Sequence, residues 1–216
     1  MITAAMLVRD PPIDRLALLL EYLRPVVRNV VIVVDTRTAP EAVERMQGWD
    51  EPSRSVRLVR FQWIDDFSAG RNAALGLIPT GPRSWILHVD PDELPSAAML
   101  EFLRAVDGEA QQEDVRWQGA VYPAPRGYLF FTRNFYDGIR GAEWEEHWHC
   151  RLFRRDAGWW YKPVHEQVML DSLTESRTRG TPLLPKAPLS ACLIHSKPGD
   201  LIARDTAVYA KIEAMT

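Results

Sequence analysis

Asp90 and Asp92 are separated by a single residue, Pro91, and follow directly on the apolar run "WILHV" of residues 85–89. Two carboxylates in this spacing can turn toward one point where the backbone leaves a strand, and Pro91 stiffens that exit. Oxygen ligands of this kind suit Mg²⁺ or Mn²⁺, which retain water and bind a substrate's diphosphate as well. Glu93 extends the group, and other apolar runs also end in acids: Asp35 after "NVVIVV", and Asp65 with Asp66 after "SVRLVRFQW". Carboxylates gathered at one rim repel one another unless water, arginine or a cation compensates them. Taken singly, each is equally readable as a helix cap or a turn residue, and an Asp-x-Asp spacing is common by chance. Their shared position at the ends of apolar runs is what points to a site.

The elements that would hold these acids follow in a regular order. "ITAAMLV" (residues 2–8) reads as a short buried strand closed by Arg9, Asp10 and two prolines. Leu16, Leu19, Leu20, Leu23 and Val27 then recur at helical spacing, with Asp14 as the expected cap. "NVVIVVD" has no polar alternation, as a strand covered on both faces requires, and Pro40 suits the first turn of the helix after it. "SVRLVRFQW" alternates more clearly and is expected nearer a sheet edge. The helix after it, with Asp66 or Ser68 as its cap, turns Phe67, Ala74, Leu75 and Ile78 inward. A strand at 84–89 and a helix over 95–106 complete a βαβαβαβα order, the signature of a parallel sheet with helices on both faces. Beyond residue 110 the pieces are aromatic and strand-like, which predicts antiparallel strands joined to or packed beside that sheet. A Pro-rich stretch then leads to "LSACLIHS" and a last helix from Asp200. The expectation is one α/β domain over 1–216 in three layers, α/β/α. Its mostly parallel nucleotide-binding half spans 1–109, and an acceptor-side half spans 110–216.

The totals fit that expectation. A chain of 216 residues, 46% hydrophobic and 25% charged, can bury one sizeable core. Twenty-six basic and 29 acidic side chains leave a net charge of −3, so the mean field does not attract a nucleic-acid backbone, although Arg151, Arg154 and Arg155 form a local basic group. Two cysteines without metal-ligand spacing fit a reducing compartment and argue against structural zinc. The N-terminal apolar run is too short for a signal peptide and no stretch reaches the length of a membrane span, so a cytoplasmic protein without stable membrane insertion is expected. GxGxxG after the first strand and GxxxxGK[ST] anywhere are both missing, which disfavours a dinucleotide oxidoreductase or a P-loop enzyme.

The segment "WIDDFSAGRNAAL" (residues 63–75) resembles the "WxDDFSxxRNxAL" signature of one branch of the inverting, family 2 glycosyltransferases, which have the GT-A fold. The resemblance extends in order through "VVIVVDT", "WILHVDPDE", "RLFRRDAGWWYKPVHEQV" and "LIHS". It implies a nucleoside-diphosphate sugar, a UDP-sugar first of all, lying across the ends of the first strands with Mn²⁺ or Mg²⁺. Asp35 would contact the base or ribose, with Asp65 on the same rim and Arg71 near the nucleotide. Asp90 would lie near the ribose or metal, and Asp92 on the metal that bridges the diphosphate. His195 would complete the metal or diphosphate site. Two positions depart from the family pattern: Arg37 stands where a glycine is usual, and Gly70 where an alanine is.

Inversion by direct displacement needs a base beside the acceptor hydroxyl. "VHEQV" offers Glu166 for that role and His165 as its orienting partner, as a donor toward phosphate or as a metal contact. "EWEEHWH" (residues 143–149) is the competing source of acids and histidines. Trp144, Trp148, Trp159, Trp160 and Tyr161 are numerous enough that some can line an acceptor cleft by stacking on sugar rings, while each alone is more often packing.

Two other readings stand beside transfer. One is a sugar-phosphate nucleotidyltransferase, against which "VRDPPIDR" replaces the Gly-rich basic loop expected after the first strand. The other is a nucleotide-sugar-binding module without turnover, kept open by the "RTAP" loop. The acceptor is not encoded legibly: a glycan, a lipopolysaccharide precursor, a protein and modified DNA all remain, and the length is compatible with a phage origin. Oligomeric state is equally unread, with the apolar last helix as the available contact.

Overall fold

The computed structural model describes residues 1–49, 55–81, 84–108, 114–117, 120–123, 126–136, 147–156, 158–161, 167–170 and 184–197. In chain order the first half gives β1 (Ile2–Val8), α1 (Ile13–Leu23), β2 (Asn29–Asp35), α2 (Pro40–Gln47), β3 (Ser55–Phe61), α3 (Phe67–Leu75), β4 (Trp85–His88), β5 (Glu93–Pro95) and α4 (Ala97–Gly108). The second half gives β6 (Asp114–Trp117), β7 (Ala120–Pro123), β8 (Gly127–Tyr136), β9 (His147–Arg154), β10 (Gly158–Tyr161), β11 (Gln167–Leu170) and β12 (Cys192–Lys197). Eight strands form one sheet in the order β3-β2-β1-β4-β9-β8-β12-β5, while β6-β7 and β10-β11 are separate antiparallel pairs. Strands β3, β2, β1 and β4 run parallel, β9 is antiparallel to both β4 and β8, and β12 is parallel to β8. The α/β class and the added antiparallel strands are as the sequence leads one to expect. The expected last helix from Asp200 lies outside the described residues.

Why the first two strands lack polar alternation is visible in their two faces. Ala4, Met6 and Val8 of β1 and Val30, Ile32 and Val34 of β2 pack with Leu16, Leu19, Leu20 and Leu23 of α1 and Met99, Phe102 and Leu103 of α4. Ala5, Val31 and Val33 point the other way, onto Ala74 and Leu75 of α3, Ile78, and Trp160 and Val168 of the β10-β11 hairpin. Both faces are covered, so period-2 patterning has no polar side to display. β3 is an edge strand, as its alternation suggests, and its outward Arg57 and Arg60 blunt that edge.

Three local details differ from the sequence reading or refine it. Asp14 does not cap α1: Pro12 occupies that position, and Asp14 bonds Arg45 Nη2 of α2 at 2.7 Å instead. Asp66, rather than Ser68, caps α3 by accepting from Ala69 N at 3.0 Å. The chain after Asp92 does not run straight into a helix: it first forms β5, antiparallel to β12 at the sheet edge, where Pro95 is tolerated because one side needs no donor. Ser96 then caps α4, its Oγ accepting from Met99 N at 3.1 Å and from Cys192 N at 3.1 Å.

Two glycines test how tightly this frame is built. A Cβ on Gly127 of β8 would stand 3.0 Å from Leu152 O and 3.1 Å from Cys150 Sγ, and a backbone oxygen cannot step aside. Gly127→Ala is expected to destabilise the fold by about 1–3 kcal/mol in chemical denaturation. A Cβ on Gly70 presses on the tip of Leu7, with Cδ2 at 2.9 Å and Cδ1 at 3.0 Å, and meets the Phe61 ring at an ordinary 3.5 Å. That tip can rotate, and alanine adds about 1 kcal/mol of helix propensity, so Gly70→Ala should stay within about 1 kcal/mol of the wild type.

Candidate functional site

The carboxyl-terminal ends of β2, β1 and β4 lie side by side, because β1 pairs with β2 and with β4 in parallel. Open α/β sheets bind ligands at this edge. Four arginines, Arg9, Arg37, Arg71 and Arg151, meet the acids there.

At the end of β2, Asp35 is 1% exposed and held by Arg37. Its Oδ1 accepts from Arg37 N at 2.9 Å and from Nε at 3.0 Å, and its Oδ2 accepts from Nη2 at 2.6 Å, while Arg9 Nε stands 3.8 Å away. Burial pushes the Asp35 carboxyl up, but the bonds and charge of Arg37 outweigh it and hold the group below its usual value. Asp35 thus keeps its charge by taking both oxygens into a salt bridge with Arg37. Asp65 is fixed differently: its backbone is left-handed at φ 56, and Trp63 Nε1 donates to its Oδ1 at 2.8 Å.

At the end of β4, the chain turns through Asp90, Pro91, Asp92 and Glu93, with Glu93 N donating to Asp90 O at 3.1 Å. The two aspartates take different partners. Asp90 Oδ1 accepts from Arg71 Nη2 at 3.3 Å and bonds His88 Nε2 at 3.1 Å, and its Oδ2 accepts from Arg151 Nη1 at 3.2 Å. Burial pushes the His88 imidazole down to about 3, and Arg71 adds to the effect, so the ring is neutral at ordinary pH and donates its Nε2–H to Asp90. Burial opposes the charge on Asp90, yet Arg71 and Arg151 hold its carboxyl well below the usual range. Arg151 also bonds the buried Glu93, Nη2 to Oε1 at 2.5 Å, and Glu93 Oε2 accepts from Asp90 N at 2.9 Å. Asp92 pairs instead with His195, which comes from β12 103 positions away, at 2.9 Å between Oδ2 and Nε2. The β5-β12 register brings the two near one another, since it sets His195 directly opposite Glu93, and the turn before β5 directs Asp92 onto the ring.

The rim is therefore compensated mainly from within. Asp35, Asp90 and Glu93 have arginine partners, and Asp92 has an imidazole. Of the expected site residues, Arg71 meets Asp90, Asp92 meets His195, and Asp35 stands apart with Arg37. Glu166, His165 and residues 143–146 lie outside the described residues, so the structure does not place the base.

His88 and Asn72 were not singled out by the sequence, and Arg151 was read only as part of a basic group. The available signals were a histidine inside an apolar strand and an arginine within "CRLF", since an ionisable group in such a run must find a partner. Asn72 of α3 donates to Trp160 O and accepts from Trp160 N, both at 2.9 Å.

No protein-family model matches the chain, and no curated protein is similar to it. Solved structures are similar in fold. S. aureus TarS 1-349 in complex with UDP-GlcNAc aligns with a TM-score of 0.56 at 12% identity, covering 91% of this chain and 58% of that one. The same protein in complex with UDP gives 0.53 at 13%, covering 98% and 64%. This chain therefore spans less than two thirds of the length of either TarS chain. A Bacillus anthracis protein described as a glucose-1-phosphate thymidylyltransferase, in complex with a sucrose, gives 0.51 at 7% identity, covering 97% and 95%. These likenesses show the fold alone, and it is the architecture expected from the sequence, a mixed α/β domain whose mostly parallel sheet is flanked by helices. No helix among the described residues is long and apolar enough to cross a membrane.

Proposed function

We propose that this chain is a glycosyltransferase that moves a sugar from a nucleoside diphosphate, UDP first among candidates, to an acceptor hydroxyl with inversion. The observation that carries the reading is the Asp92–His195 pair, with side chains 19% and 18% exposed, beside an Asp90 already balanced by arginines. The pair offers one carboxylate oxygen and one imidazole nitrogen at the edge where α/β sheets take ligands. No three His, Cys, Asp or Glu residues surround a common point among the described residues. Two protein ligands nevertheless fit Mg²⁺ or Mn²⁺, which fill their remaining positions with water and phosphate oxygens. Such an ion, when bound, neutralises charge on a departing diphosphate.

The chain's own residues divide the remaining work. Asp90 holds Arg71 and Arg151 at that end of the site and keeps their positive field in place. Asp35 with Arg37, and Asp65 beside them, form the nucleoside side. Glu166 takes the acceptor proton and His165 orients it or contacts phosphate. The acceptor is a hydroxyl of unassigned class.

The test incubates the protein with UDP-GlcNAc and other UDP-sugars and follows UDP release. Release that requires Mn²⁺ or Mg²⁺ and stops in chelator is expected. Unchanged release in chelator would remove the ion from the reading. The competing nucleotidyltransferase reading is favoured by one observation, the 95% of the B. anthracis protein that this chain covers. Pyrophosphate formed from a nucleoside triphosphate and a sugar 1-phosphate would decide for it. Donor binding in calorimetry with neither product would leave a binding module.

A further inference from the structure

Trp160 lies at a junction that the proposed chemistry does not use. Its backbone is held on both sides by one side chain, Asn72 of α3, through bonds at its N–H and its C=O. Its ring packs against the two groups that bond Asp90 Oδ1: the Arg71 guanidinium carbon stands 4.6 Å from the ring centroid, and the His88 ring meets it edge-on at 4.8 Å. Trp160 is 6% exposed, and Phe153 closes its remaining side at 6.1 Å. Consecutive residues of α3 thus act on the same indole, Arg71 from its face and Asn72 through its backbone.

We infer that Asn72 and Trp160 are positioning residues for Asp90, and that they tie the β10-β11 hairpin to the strand-end site as one unit. Three features support this. A guanidinium is drawn to the negative face of an indole, most strongly where water is excluded, so the ring limits where Arg71 can hold its charge. The His88 ring is wedged between the indole and Asp90, so its Nε2–H keeps one direction. The paired bonds to Asn72 fix the height of the indole along α3, because a two-point contact between a side-chain amide and a backbone leaves it no freedom to slide. An aliphatic side chain at 160 would fill part of the same hydrophobic space and supply none of the first effect. Simple core packing predicts losses that follow the volume removed and add to those at Asp90, whereas a positioning role predicts that they do not add. The inference deepens the donor-site reading above but rests on it only for where a ligand would feel the change.

The experiment is a double-mutant cycle in the full chain by urea denaturation, pairing Asn72→Ala, and separately Trp160→Leu, with Asp90→Asn. None of these pairs is in direct contact through the groups removed, so independent structural roles give additive effects. Asp90→Asn is expected to reduce the folding equilibrium constant at least fivefold more in the wild-type background than in either variant background. Trp160→Phe, which keeps an aromatic face, should restore more than half of the coupling lost in Trp160→Leu. Additivity within twofold, or equal behaviour of Phe and Leu at 160, would overturn the inference. If Asp90→Asn does not fold, Asp90→Glu, which displaces the carboxylate without touching Trp160 or Asn72, replaces it in the cycle with the same expectation. Titration with UDP and Mn²⁺ is run in parallel and answers only the donor reading: absence of binding to the wild type counts against that reading, whereas the cycle alone decides the positioning role.

Discussion

An Arg151→Ala variant is expected to lose about 3–5 kcal/mol of folding stability, a fall in Tm of roughly 6–20 °C for a domain of this size. The reason lies in what is left behind. Arg151 is 7% exposed and Glu93 1% exposed, and the guanidinium bonds Glu93 with one terminal nitrogen and Asp90 with the other. Truncation leaves one buried acid without its partner and a second with only Arg71 and His88. Lysine should recover less than half of the loss, because one ammonium cannot reproduce a planar fork directed at two separate carboxylates. The double variant Arg151→Met/Glu93→Gln should be more stable than Arg151→Ala, since it removes the buried charge together with its partner. Urea denaturation at constant pH measures all three. A loss below about 1 kcal/mol in Arg151→Ala would show that the cluster is not sealed from water.

The same cluster sets how stability varies with pH, and the signs can be worked out. Burial, with Asp90 adding and Arg151 opposing, raises Glu93 from 4.5 to about 7, with His195 also facing it. A carboxyl raised on folding contributes stability that is present below about 4.5 and lost as pH climbs through 7. His88 is lowered from 6.5 to about 3 by burial first, so its contribution is present above 6.5 and lost as pH falls toward 3. Between about 4.5 and 6.5 the two slopes oppose each other, and wild-type stability should be nearly flat there. Glu93→Gln removes one of them. Its stability should climb with pH across that window, on the order of 1.4 kcal/mol per unit, and denaturation at pH 4.5, 5.5 and 6.5 reads the difference. A parallel profile for variant and wild type would mean that Glu93 does not titrate in this range.

What the sequence made legible, and what it hid, follows from distance along the chain. Strands β1, β2 and β4 were readable because burial on both faces leaves an unbroken apolar run, and α1 because its leucines repeat at helical spacing. The acids at their ends were readable as a rim because a parallel order places those ends together. Their partners were not. Asp35 is taken by Arg37, only two residues on, yet nothing in "DTRT" says whether the guanidinium turns back or outward. Arg151 reaches Asp90 over 61 positions and Asn72 reaches Trp160 over 88. Such contacts depend on which strand lies beside β4, and here that is β9, which no local pattern reveals. β5 was missed for a related reason: three residues ending in proline carry no strand signal, and only pairing with β12 makes them one.

That pairing also fixes the prediction with the largest functional effect. Asp92→Asn should lower metal-dependent donor turnover by about 10²–10³-fold, the scale on which loss of one group that stabilises transition-state charge is felt. Its stability should change by less than about 1 kcal/mol. Asparagine still has an oxygen to accept from His195 across the same 2.9 Å, so the turn and the β5-β12 pairing need not move. What it lacks is the negative charge that a hard cation requires. Asp90→Asn provides the contrast. Asp90 is bound by Arg71, Arg151 and His88, so neutralising it should lower turnover and stability together. His195→Ala should resemble Asp92→Asn in direction but respond to raised Mn²⁺, because one ligand of the pair survives and mass action can refill a weakened site. If the two aspartate variants lost stability equally and turnover equally, the division between a ligand-facing Asp92 and an arginine-holding Asp90 would fall, and the turn from Asp90 to Glu93 would have to be treated as one structural acid cluster.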